Sequence, residues 1–546
     1  MSFGKISLED LSAKSREDLI KIIIESQLQE NFILATDSYK MTHHLLYPEG
    51  LTEVYSYLEP RGGEMSHTLF FGLQYYVKKY LAGLRITKEN IEEAHQQNIK
   101  HFGFDCFNRE LWDHIVNDCD GKLPLEIKAV KEGMRIPVKN ALLSIRNTTS
   151  KSAALTNITE TLLMKLWYPT TVAEYSNSIL KVIRQFASET SDNDSSLTRF
   201  LIHDFGYRGV SSEETAGIGG AAHIAAGNMG SDTFSGIRLL QQYYGADMPA
   251  YSVIASEHSI MCSFGRDNEL EAYRNAITKA SSEAILSLVS DTYNIYNVCR
   301  NILPSLKEEI LARTGKLVVR PDSGDAEIVL FGYKIIELPS TVVIPTDGTH
   351  AIKYHDGTYK RVNAPIHKEH GLEASLTEIS RDEAIGIFNI LFEEFGSSIN
   401  SKGYKVLCAN IGVLQGDGIS LKTVKSLLQR AKDEKIDTTC LVTGSGGKLL
   451  QAHDRDEQKY AIKATNVVIN GVSSSIMKDP ITDPGKKSKR GYLKLAIIDG
   501  EYKTLEFETL EDYNKDTKVD LLETVFLDGD LVREQTLEEI LTYSLV

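Results

Sequence analysis

The chain has 546 residues, 42% of them hydrophobic and 25% charged, which is typical of a soluble globular protein long enough for two domains. Sixty basic against 75 acidic residues give a formal net charge of −15, which argues against a general nucleic-acid or anionic-membrane binder. The six cysteines form no C-x-x-C pair, and no apolar run approaches the roughly 18 residues that span a bilayer. We therefore expect a cytoplasmic protein with neither a structural zinc site nor a disulfide framework.

The first part of the chain mixes helical and strand patterns. Residues 1–30 predict a helical N-terminal extension, and residues 32–40 predict a short strand that breaks into a polar turn. Alternating apolar and polar residues over 54–58 predict another strand. Short strands near the C-terminus are expected to return to this part. We therefore assign an α+β domain to residues 31–165 together with 470–546.

The middle of the chain repeats the order strand, polar loop, helix. This order predicts parallel strands with crossover helices, and hence an irregular βα barrel-like catalytic domain over residues 166–469. The candidate strands are 200–204, 230–233, 251–254, 285–290, 316–320, 411–415, 439–443 and 465–469.

One gap in this series, after Asp325, is too long for a βα loop. Within it, residues on both sides of Asp356 and Gly357 alternate as in a β-hairpin. We therefore expect a small β insertion over residues 326–376. Because it follows the strand that ends at Arg320, we expect it to modulate access to the catalytic face or the edge of a dimer.

Two Gly-rich loops follow two of the predicted strands. They read Ile411-Gly-Val-Leu-Gln-Gly-Asp-Gly418 and Cys440-Leu-Val-Thr-Gly-Ser-Gly-Gly447, and Ser420 can cap a helix that begins after the first. Glycine lets backbone N–H groups approach an anion, and the next helix N-terminus adds a favourable dipole. Barrels often hold phosphate after their last strands, so the pair predicts a sugar-phosphate site. A single loop of this kind is also common as an ordinary turn between a strand and a helix.

Polar residues follow the other strands at their C-terminal ends, where barrel enzymes place their active sites. Helix capping explains a single Asp or Ser, but Arg208, His258 and Arg320 are not capping residues. A basic rim follows the glycine loops, in which Arg455 is a candidate phosphate ligand. Lys487 and Lys489 in the same region are expected to be solvated.

Several strings occur in an order that resembles the nicotinamide phosphoribosyltransferases, which make nicotinamide mononucleotide for NAD salvage. They include Ala35-Thr-Asp-Ser-Tyr-Lys40, His203-Asp-Phe-Gly-Tyr-Arg-Gly-Val-Ser-Ser212, Glu257-His-Ser259, Arg320-Pro-Asp-Ser-Gly324, Gln415-Gly-Asp-Gly418 and Lys478-Asp-Pro480. The resemblance covers about residues 31–325 and 400–530. It implies a homodimer whose two active sites are each built from both subunits.

The resemblance also implies a role for each matching residue. Phe205 and the partner subunit's Tyr39 would enclose the pyridine ring, and Asp232 would accept a hydrogen bond from the carboxamide and repel nicotinate. Around the ring would lie Arg208, Ser287 and the partner subunit's Asp37. The ribose side would be held by Asp291, Arg320 and Asp322, the 5-phosphate by Gly416, Asp417, Gly446 and Gly447, and the pyrophosphate by Arg61, Arg455, Lys463 and Lys478.

Two small-molecule partners are implied besides nicotinamide and phosphoribosyl pyrophosphate. Mg²⁺ would neutralise the pyrophosphate leaving group, although the residues identify no metal ligands. ATP would act as an activating co-substrate that phosphorylates His258, and the phosphohistidine would enhance catalysis. His258, Asp291, Arg320 and Asp322 are therefore the catalytic candidates.

Three alternatives remain open from the residues. A nicotinate phosphoribosyltransferase is the closest, and Asp232 argues against it. A sugar-phosphate lyase or isomerase would satisfy the glycine loops alone, whereas an inactive scaffold would not need Asp232 or His258. The chain also departs from the family where Lys448 replaces a third glycine and His453-Asp454 precedes Arg455, so contacts to pyrophosphate or ATP are expected to differ there.

Overall fold

A computed structural model describes residue 15 and residues 31–545, apart from 194, 338–344, 364–365, 369–370 and 374. The predicted helical extension over residues 1–30 therefore lies, except for Ser15, outside the described residues. Among the described residues, no helix combines the length and the apolar character that crossing a bilayer requires.

One seven-stranded antiparallel sheet joins segments from both ends of the chain. Its strands, in sheet order, are Val472–Ser475, Tyr460–Ile469, Leu51–Pro60, Leu143–Asn147, Leu125–Ala129, Glu523–Leu527 and Asp530–Leu531. The strand predicted over 54–58 is confirmed, and so is the return of a C-terminal strand, because Glu523 pairs with Ala129. Most apolar residues of this sheet and of the helices packed on it belong to the main hydrophobic core, while Val54, Ala153 and Val467 form a separate small cluster.

The strand predicted at residues 32–40 is wrong. The segment forms the 3₁₀ helices Phe32–Leu34 and Ser38–Leu45, and the Asn31 side chain accepts a hydrogen bond from the Ile33 N–H at 3.1 Å. Phe32 and Ile33 are both buried although they are consecutive, which a half-buried strand does not allow. Local capping therefore outweighs the strand propensity of this apolar run.

A second seven-stranded sheet is parallel and curled. Its strands, in sheet order, are Gly230–Ser231, Ile202–Asp204, Leu441–Ser445, Ile411–Gln415, Leu317–Arg320, Leu286–Val289 and Ile254–Ala255. Tyr251 forms a parallel bridge to Gly230 at one edge, while Ile254 pairs with Leu286 at the other. The segment 251–255 thus lies against both edges of the sheet. Because the strands are parallel, their C-terminal ends all lie at the same end of the curled sheet.

The eighth predicted strand, 465–469, is not part of this sheet. It belongs to Tyr460–Ile469, which runs antiparallel to Leu51–Pro60. A short apolar run predicts a buried strand but does not identify its partner, because that partner lies about four hundred residues away in the chain.

Helices of eight residues or more surround the two sheets: Lys88–Phe102, Arg109–Asp118, Ala153–Met164, Trp167–Thr190, Glu213–Ala225, Phe234–Tyr244, Glu269–Lys279, Arg381–Phe395, Leu421–Asp433 and Leu537–Ser544. Shorter ones on the catalytic face are Tyr207–Gly209, His258–Cys262, Ala326–Phe331 and Gly447–Leu450. The predicted cap is confirmed, because Ser420 Oγ accepts a hydrogen bond from the Thr423 N–H at 3.2 Å. The helix it starts buries Val424, Leu427 and Leu428.

The predicted insertion contains the expected hairpin. His350–Lys353 pairs antiparallel with Tyr359–Val362, and Gly357 in the turn adopts a φ of +86°. Lys334–Glu337 and Leu376–Ile379 complete a four-stranded sheet. A separate antiparallel pair, Ile366–Lys368 with Gly371–Glu373, occurs in the sequence between its last two strands. Shorter strand pairs elsewhere are His67–Leu69 with Arg135–Pro137, Ser397–Ile399 with Lys405–Leu407, and Tyr492–Ile498 with Glu501–Phe507.

Candidate active site

The Phe205 ring is positioned by the strands on either side of it. Its backbone N–H donates to the Ser445 carbonyl at 2.9 Å, and the Arg320 guanidinium carbon lies 5.4 Å from the ring centroid. A Cβ on Gly444 would lie 2.0 Å from Phe205 Cε2, so glycine at 444 allows the ring to lie against the backbone. Phe205 is half-buried and keeps ring surface for a planar ligand.

Asp232 follows the neighbouring strand and is exposed. Its N–H donates to the Asp204 carbonyl at 2.9 Å, and Ser252 Oγ donates to its carboxylate at 2.5 Å. Asp204 immediately precedes Phe205 in the chain. The structure therefore brings the carboxylate of Asp232 and the aromatic ring to adjacent strand ends, as the sequence predicts.

Several buried polar atoms near these strand ends have no hydrogen-bond partner in the part of the chain that the structure describes. Among them are Ser287 Oγ, Arg320 Nε and Gln415 Oε1. An unpaired buried polar group costs about 1–3 kcal/mol, so such groups are retained where a ligand supplies the partner. Ser287 and Arg320 are predicted site residues, and they lie on adjacent strands, because Ser287 pairs with Val318.

An acidic cluster lies at the ends of two adjacent strands. His258 Nε2 is 3.1 Å from Asp291 Oδ1, while Asp291 Oδ2 accepts hydrogen bonds from the Asp322 N–H at 3.1 Å and from Ser323 Oγ at 2.5 Å. Asp322 in turn accepts from the Arg320 guanidinium at 3.0 Å. All four catalytic candidates are thus connected by hydrogen bonds.

The two glycine loops meet this cluster and the Phe205 turn. A Cβ on Gly416 would lie 3.4 Å from Arg320 Nε, and one on Gly209 would lie 3.1 Å from the Gly447 nitrogen. Gly446 faces the Phe205 carbonyl, and Asp417 and Arg208 are both exposed at this end of the sheet. The loops after three different strands therefore surround one opening.

A basic cluster lies on the antiparallel sheet. Burial lowers the pKa of Lys463, and the nearby charges of Arg61, Lys478 and Lys40 lower it further. Arg61 is largely buried and donates from Nε to Glu59 at 3.1 Å, while its Nη2 has no partner among the described residues. These closely spaced cations would bind a polyanion more strongly than isolated ones, because they already repel one another.

The other predicted members of the basic rim and the partner-facing residues are exposed. Arg455 is 54% exposed and contacts only the neighbouring Asp456 among the described side chains, at 3.3 Å. Tyr39 is 58% exposed, and the Asp37 carboxylate accepts from Thr161 Oγ1 at 3.2 Å. No hydrogen bond or ion pair of the described residues joins Tyr39 or Asp37 to the Phe205 pocket of the same chain.

Comparison with known proteins identifies the family. A family model described as the nicotinate phosphoribosyltransferase (NAPRTase) family matches residues 200–530, and a model described as the nicotinamide phosphoribosyltransferase N-terminal domain matches residues 31–127. The chain belongs to the nicotinate phosphoribosyltransferase family. This confirms the resemblance drawn from the motifs, and the chain is a phosphoribosyltransferase.

Relatives of this phosphoribosyltransferase match over nearly their whole length. A protein of Xanthomonas campestris named nicotinamide phosphoribosyltransferase is 36% identical over 94% of this chain and 97% of its own. One of the same name from Acinetobacter baylyi is 30% identical, over 93% and 96%. The crystal structure of a nicotinate-nucleotide pyrophosphorylase from Pyrococcus furiosus is similar in fold, with a TM-score of 0.53 over 95% of both chains at 13% identity.

Two features of this phosphoribosyltransferase were not predicted from its sequence. Asp204, which precedes Phe205 and accepts the Asp232 N–H at its carbonyl, is completely buried, and burial together with the Asp232 charge raises its pKa to about 6. Lys489 is not solvated as predicted, since it donates to Glu59 at 2.8 Å and to the Lys139 carbonyl at 2.7 Å. An acidic residue at the end of a strand was the feature of the sequence that pointed to Asp204. The contacts of Lys489 depend on the fold and have no such sequence signal.

Proposed function

We propose that this chain is a nicotinamide phosphoribosyltransferase of NAD salvage. It transfers the phosphoribosyl group of phosphoribosyl pyrophosphate to the pyridine nitrogen of nicotinamide and releases pyrophosphate. The observation that carries the proposal is the exposed carboxylate of Asp232 beside the Phe205 turn. A carboxylate accepts a hydrogen bond from a neutral carboxamide and repels the carboxylate of nicotinate, so it selects the amide.

The ring is held by stacking and by the groups around it. Phe205 offers one face, and the Arg320 guanidinium over this ring supplies a fixed positive charge. Ser287 Oγ and Arg208 are available to the ring substituent and its surroundings. In the proposed homodimer, the partner subunit's Tyr39 covers the other face and the partner subunit's Asp37 lies near it. The exposure of Tyr39 together with its apolar neighbours Leu45 and Leu46 supports such an interface.

The phosphates are held by two kinds of group. Backbone N–H groups of Gly416, Asp417, Gly446 and Gly447 bind the 5-phosphate, because loops with little side-chain bulk approach an anion closely. The pyrophosphate is held by Arg61, Arg455, Lys463 and Lys478. Asp291 and Asp322 are the carboxylates that would help to hold Mg²⁺ bound to this substrate, because Mg²⁺ typically takes substrate phosphates and one or two carboxylates as ligands; the ion would neutralise the charge of the pyrophosphate.

The chemistry is a displacement at C1 of the ribose. The pyridine nitrogen forms a bond to C1 while the bond from C1 to pyrophosphate oxygen breaks, and pyrophosphate leaves with the bonding electron pair. Positive charge develops on the ribose ring before the new bond is complete. Asp291 and Asp322 supply preorganised negative charge near that position, and Arg320 orients Asp322.

His258 couples the reaction to ATP. A neutral ring nitrogen displaces ADP from the γ-phosphorus of ATP, and the phosphohistidine adds charge at the helix that begins at His258. Its hydrogen bond to Asp291 supports a route by which this charge acts on Asp322.

The decisive experiment follows product formation from phosphoribosyl pyrophosphate and Mg²⁺ with nicotinamide or nicotinate, each with and without ATP. We expect nicotinamide mononucleotide to form selectively and faster with ATP. Asp232→Asn should reduce the selectivity, while Asp247→Asn, on an exposed loop, should not. Preference of the wild type for nicotinate would favour the nicotinate enzyme, and release of no pyrophosphate with either base would favour a lyase, isomerase or scaffold.

A further inference from the structure

Asp204 joins the two strand ends that form the proposed ring pocket. It has no exposed surface. One carboxylate oxygen accepts a hydrogen bond from the Gly206 N–H at 2.7 Å, and the other accepts from Ser231 Oγ at 3.3 Å. Its carbonyl oxygen accepts the Asp232 N–H at 2.9 Å. A single residue thus positions the turn that carries Phe205 and the strand end that carries Asp232.

These hydrogen bonds alone do not require a charge. The amide oxygen of an asparagine could accept the Gly206 N–H equally well, and it would avoid the cost of burying a carboxylate. The chain nevertheless places a titratable acid on the strand next to Asp232. The negative charge itself is therefore the property that needs an explanation.

We propose that Asp204 is a specificity-determining residue, which adds a second, buried negative charge to Asp232 and so strengthens the rejection of an anionic pyridine substrate. This inference rests on the proposed function and deepens it. Asp232 follows Ser231, the residue that pairs with Asp204, and the charge of Asp232 contributes to the raised pKa of Asp204, so the two carboxylates interact electrostatically. Asp232 contacts the ring substituent, whereas Asp204 acts through the field and through the position of Asp232.

Other ionisable groups face Asp204 and enter the test. His203 precedes it on the same strand, and burial lowers the pKa of this imidazole. Tyr168, on the helix Trp167–Thr190, has a pKa raised by burial and by the Asp204 charge. On the helix Glu213–Ala225 the residue that faces Asp204 is Gly220, whose added Cβ would lie 3.2 Å from its carboxylate. Ser231 and Ser445 on the paired strands carry no charge.

The test measures kcat/KM for nicotinamide and for nicotinate from pH 7.5 to pH 5.5 in the full-length enzyme. In the wild type, the ratio of the nicotinamide value to the nicotinate value should fall about threefold over this range, because burial raises the pKa of Asp204 to about 6 and most of this residue is protonated, and so uncharged, at pH 5.5. Asp204→Asn should lower the ratio about tenfold at pH 7.5 and make it independent of pH. The KM for phosphoribosyl pyrophosphate in Asp204→Asn should equal that of the wild type.

A matched control is Asp437→Asn. Asp437 is also buried, but it precedes the strand Leu441–Ser445 at the end away from the pocket, so the substrate ratio should stay at the wild-type value. A pH dependence that persists in Asp204→Asn would assign the effect to another group, such as His203, and would overturn the inference. A wild-type ratio that is flat through pH 6 would do the same, even if the variant failed to fold. Absence of nicotinamide product in the wild type would instead refute the proposed function.

Discussion

His258 Nε2 lies 3.1 Å from Asp291 Oδ1, and the other oxygen of the same carboxylate receives the Asp322 N–H at 3.1 Å. One carboxylate therefore joins the helix that begins at His258 to the loop that carries Asp322. Because Nε2 faces an acceptor, a neutral His258 carries its proton there and keeps the lone pair on Nδ1. We therefore predict that the proposed phosphorylation takes place on Nδ1.

From this arrangement we predict that His258→Ala abolishes the stimulation by ATP while nicotinamide mononucleotide still forms at the unstimulated rate. Asp291→Ala should lower both rates, by about tenfold or more without ATP, because it also removes the acceptor that orders Asp322. Steady-state rates with and without ATP, together with the phosphohistidine isomer identified by ³¹P NMR, check these outcomes.

The control for this prediction is His355→Ala, which removes an exposed histidine of the insertion and should keep the ATP response. Phosphate found on Nε2 would contradict the proton assignment. An ATP response that survives in His258→Ala would contradict the role of this histidine altogether.

Gly444→Ala tests how closely the Phe205 ring lies against the backbone. The added methyl group would lie 2.0 Å from Phe205 Cε2, so the ring must leave its place. We expect the KM for nicotinamide to rise at least about tenfold, which corresponds to about 1.4 kcal/mol of lost binding. Isothermal titration with nicotinamide and the kinetic KM measure the same loss.

Gly217→Ala is the matched control, because Gly217 lies in the helix Glu213–Ala225 and its added methyl group would meet its nearest neighbour, the Ser235 carbonyl, at an ordinary 3.5 Å. It should leave the KM unchanged. An unchanged KM in Gly444→Ala would mean that the pyridine ring does not use Phe205.

Local patterns carried the prediction of the catalytic face. Glycine loops after Gln415 and Thr443, and polar residues after the other strands, are visible because parallel strands end at one edge of their sheet. The segment 465–469 was assigned to the wrong sheet because strand pairing is a long-range property. Asp204 was missed for a related reason, since its burial and its neighbour Ser231 appear only once the strands are paired.

The buried ion cluster around Glu59 provides a stability prediction. Glu59 accepts hydrogen bonds from Tyr57 OH at 2.8 Å, Arg61 Nε at 3.1 Å and Lys489 Nζ at 2.8 Å, and its side chain is 4% exposed. Glu59→Gln would leave two cations without their buried counter-charge. We expect the free energy of unfolding to fall by about 3 kcal/mol, measured by urea denaturation.

Glu501→Gln is the comparison for that measurement, because its ion pair with Lys503 is exposed, 3.6 Å long, and expected to change stability by less than about 0.5 kcal/mol. Equal effects of the two substitutions would show that the Glu59 cluster contributes no more than a surface pair.

From the burial of His223 we predict that the protein loses stability in acid. It is completely buried, its Nε2 donates to the Gly230 carbonyl at 3.2 Å, and Ser176 Oγ lies 3.0 Å from Nδ1. Burial lowers its pKa to about 3, so below pH 6.5 the unfolded chain binds a proton that the folded chain does not. The stability contributed by the neutral ring is therefore present in full above pH 6.5 and is lost at up to about 1.4 kcal/mol per pH unit as the pH falls towards 3.

His223→Gln separates this effect from those of other groups. The raised pKa of Asp204 gives the opposite slope between about pH 4 and pH 6, because the folded chain then binds the extra proton. Only the difference between wild type and variant isolates His223. We expect the urea concentration at the unfolding midpoint to be lower for the variant than for the wild type at pH 7.5. The difference between the two midpoints should become steadily smaller as the pH falls to 4.5. If the difference between the two midpoints stays constant over this pH range, His223 is not the cause of the loss of stability in acid.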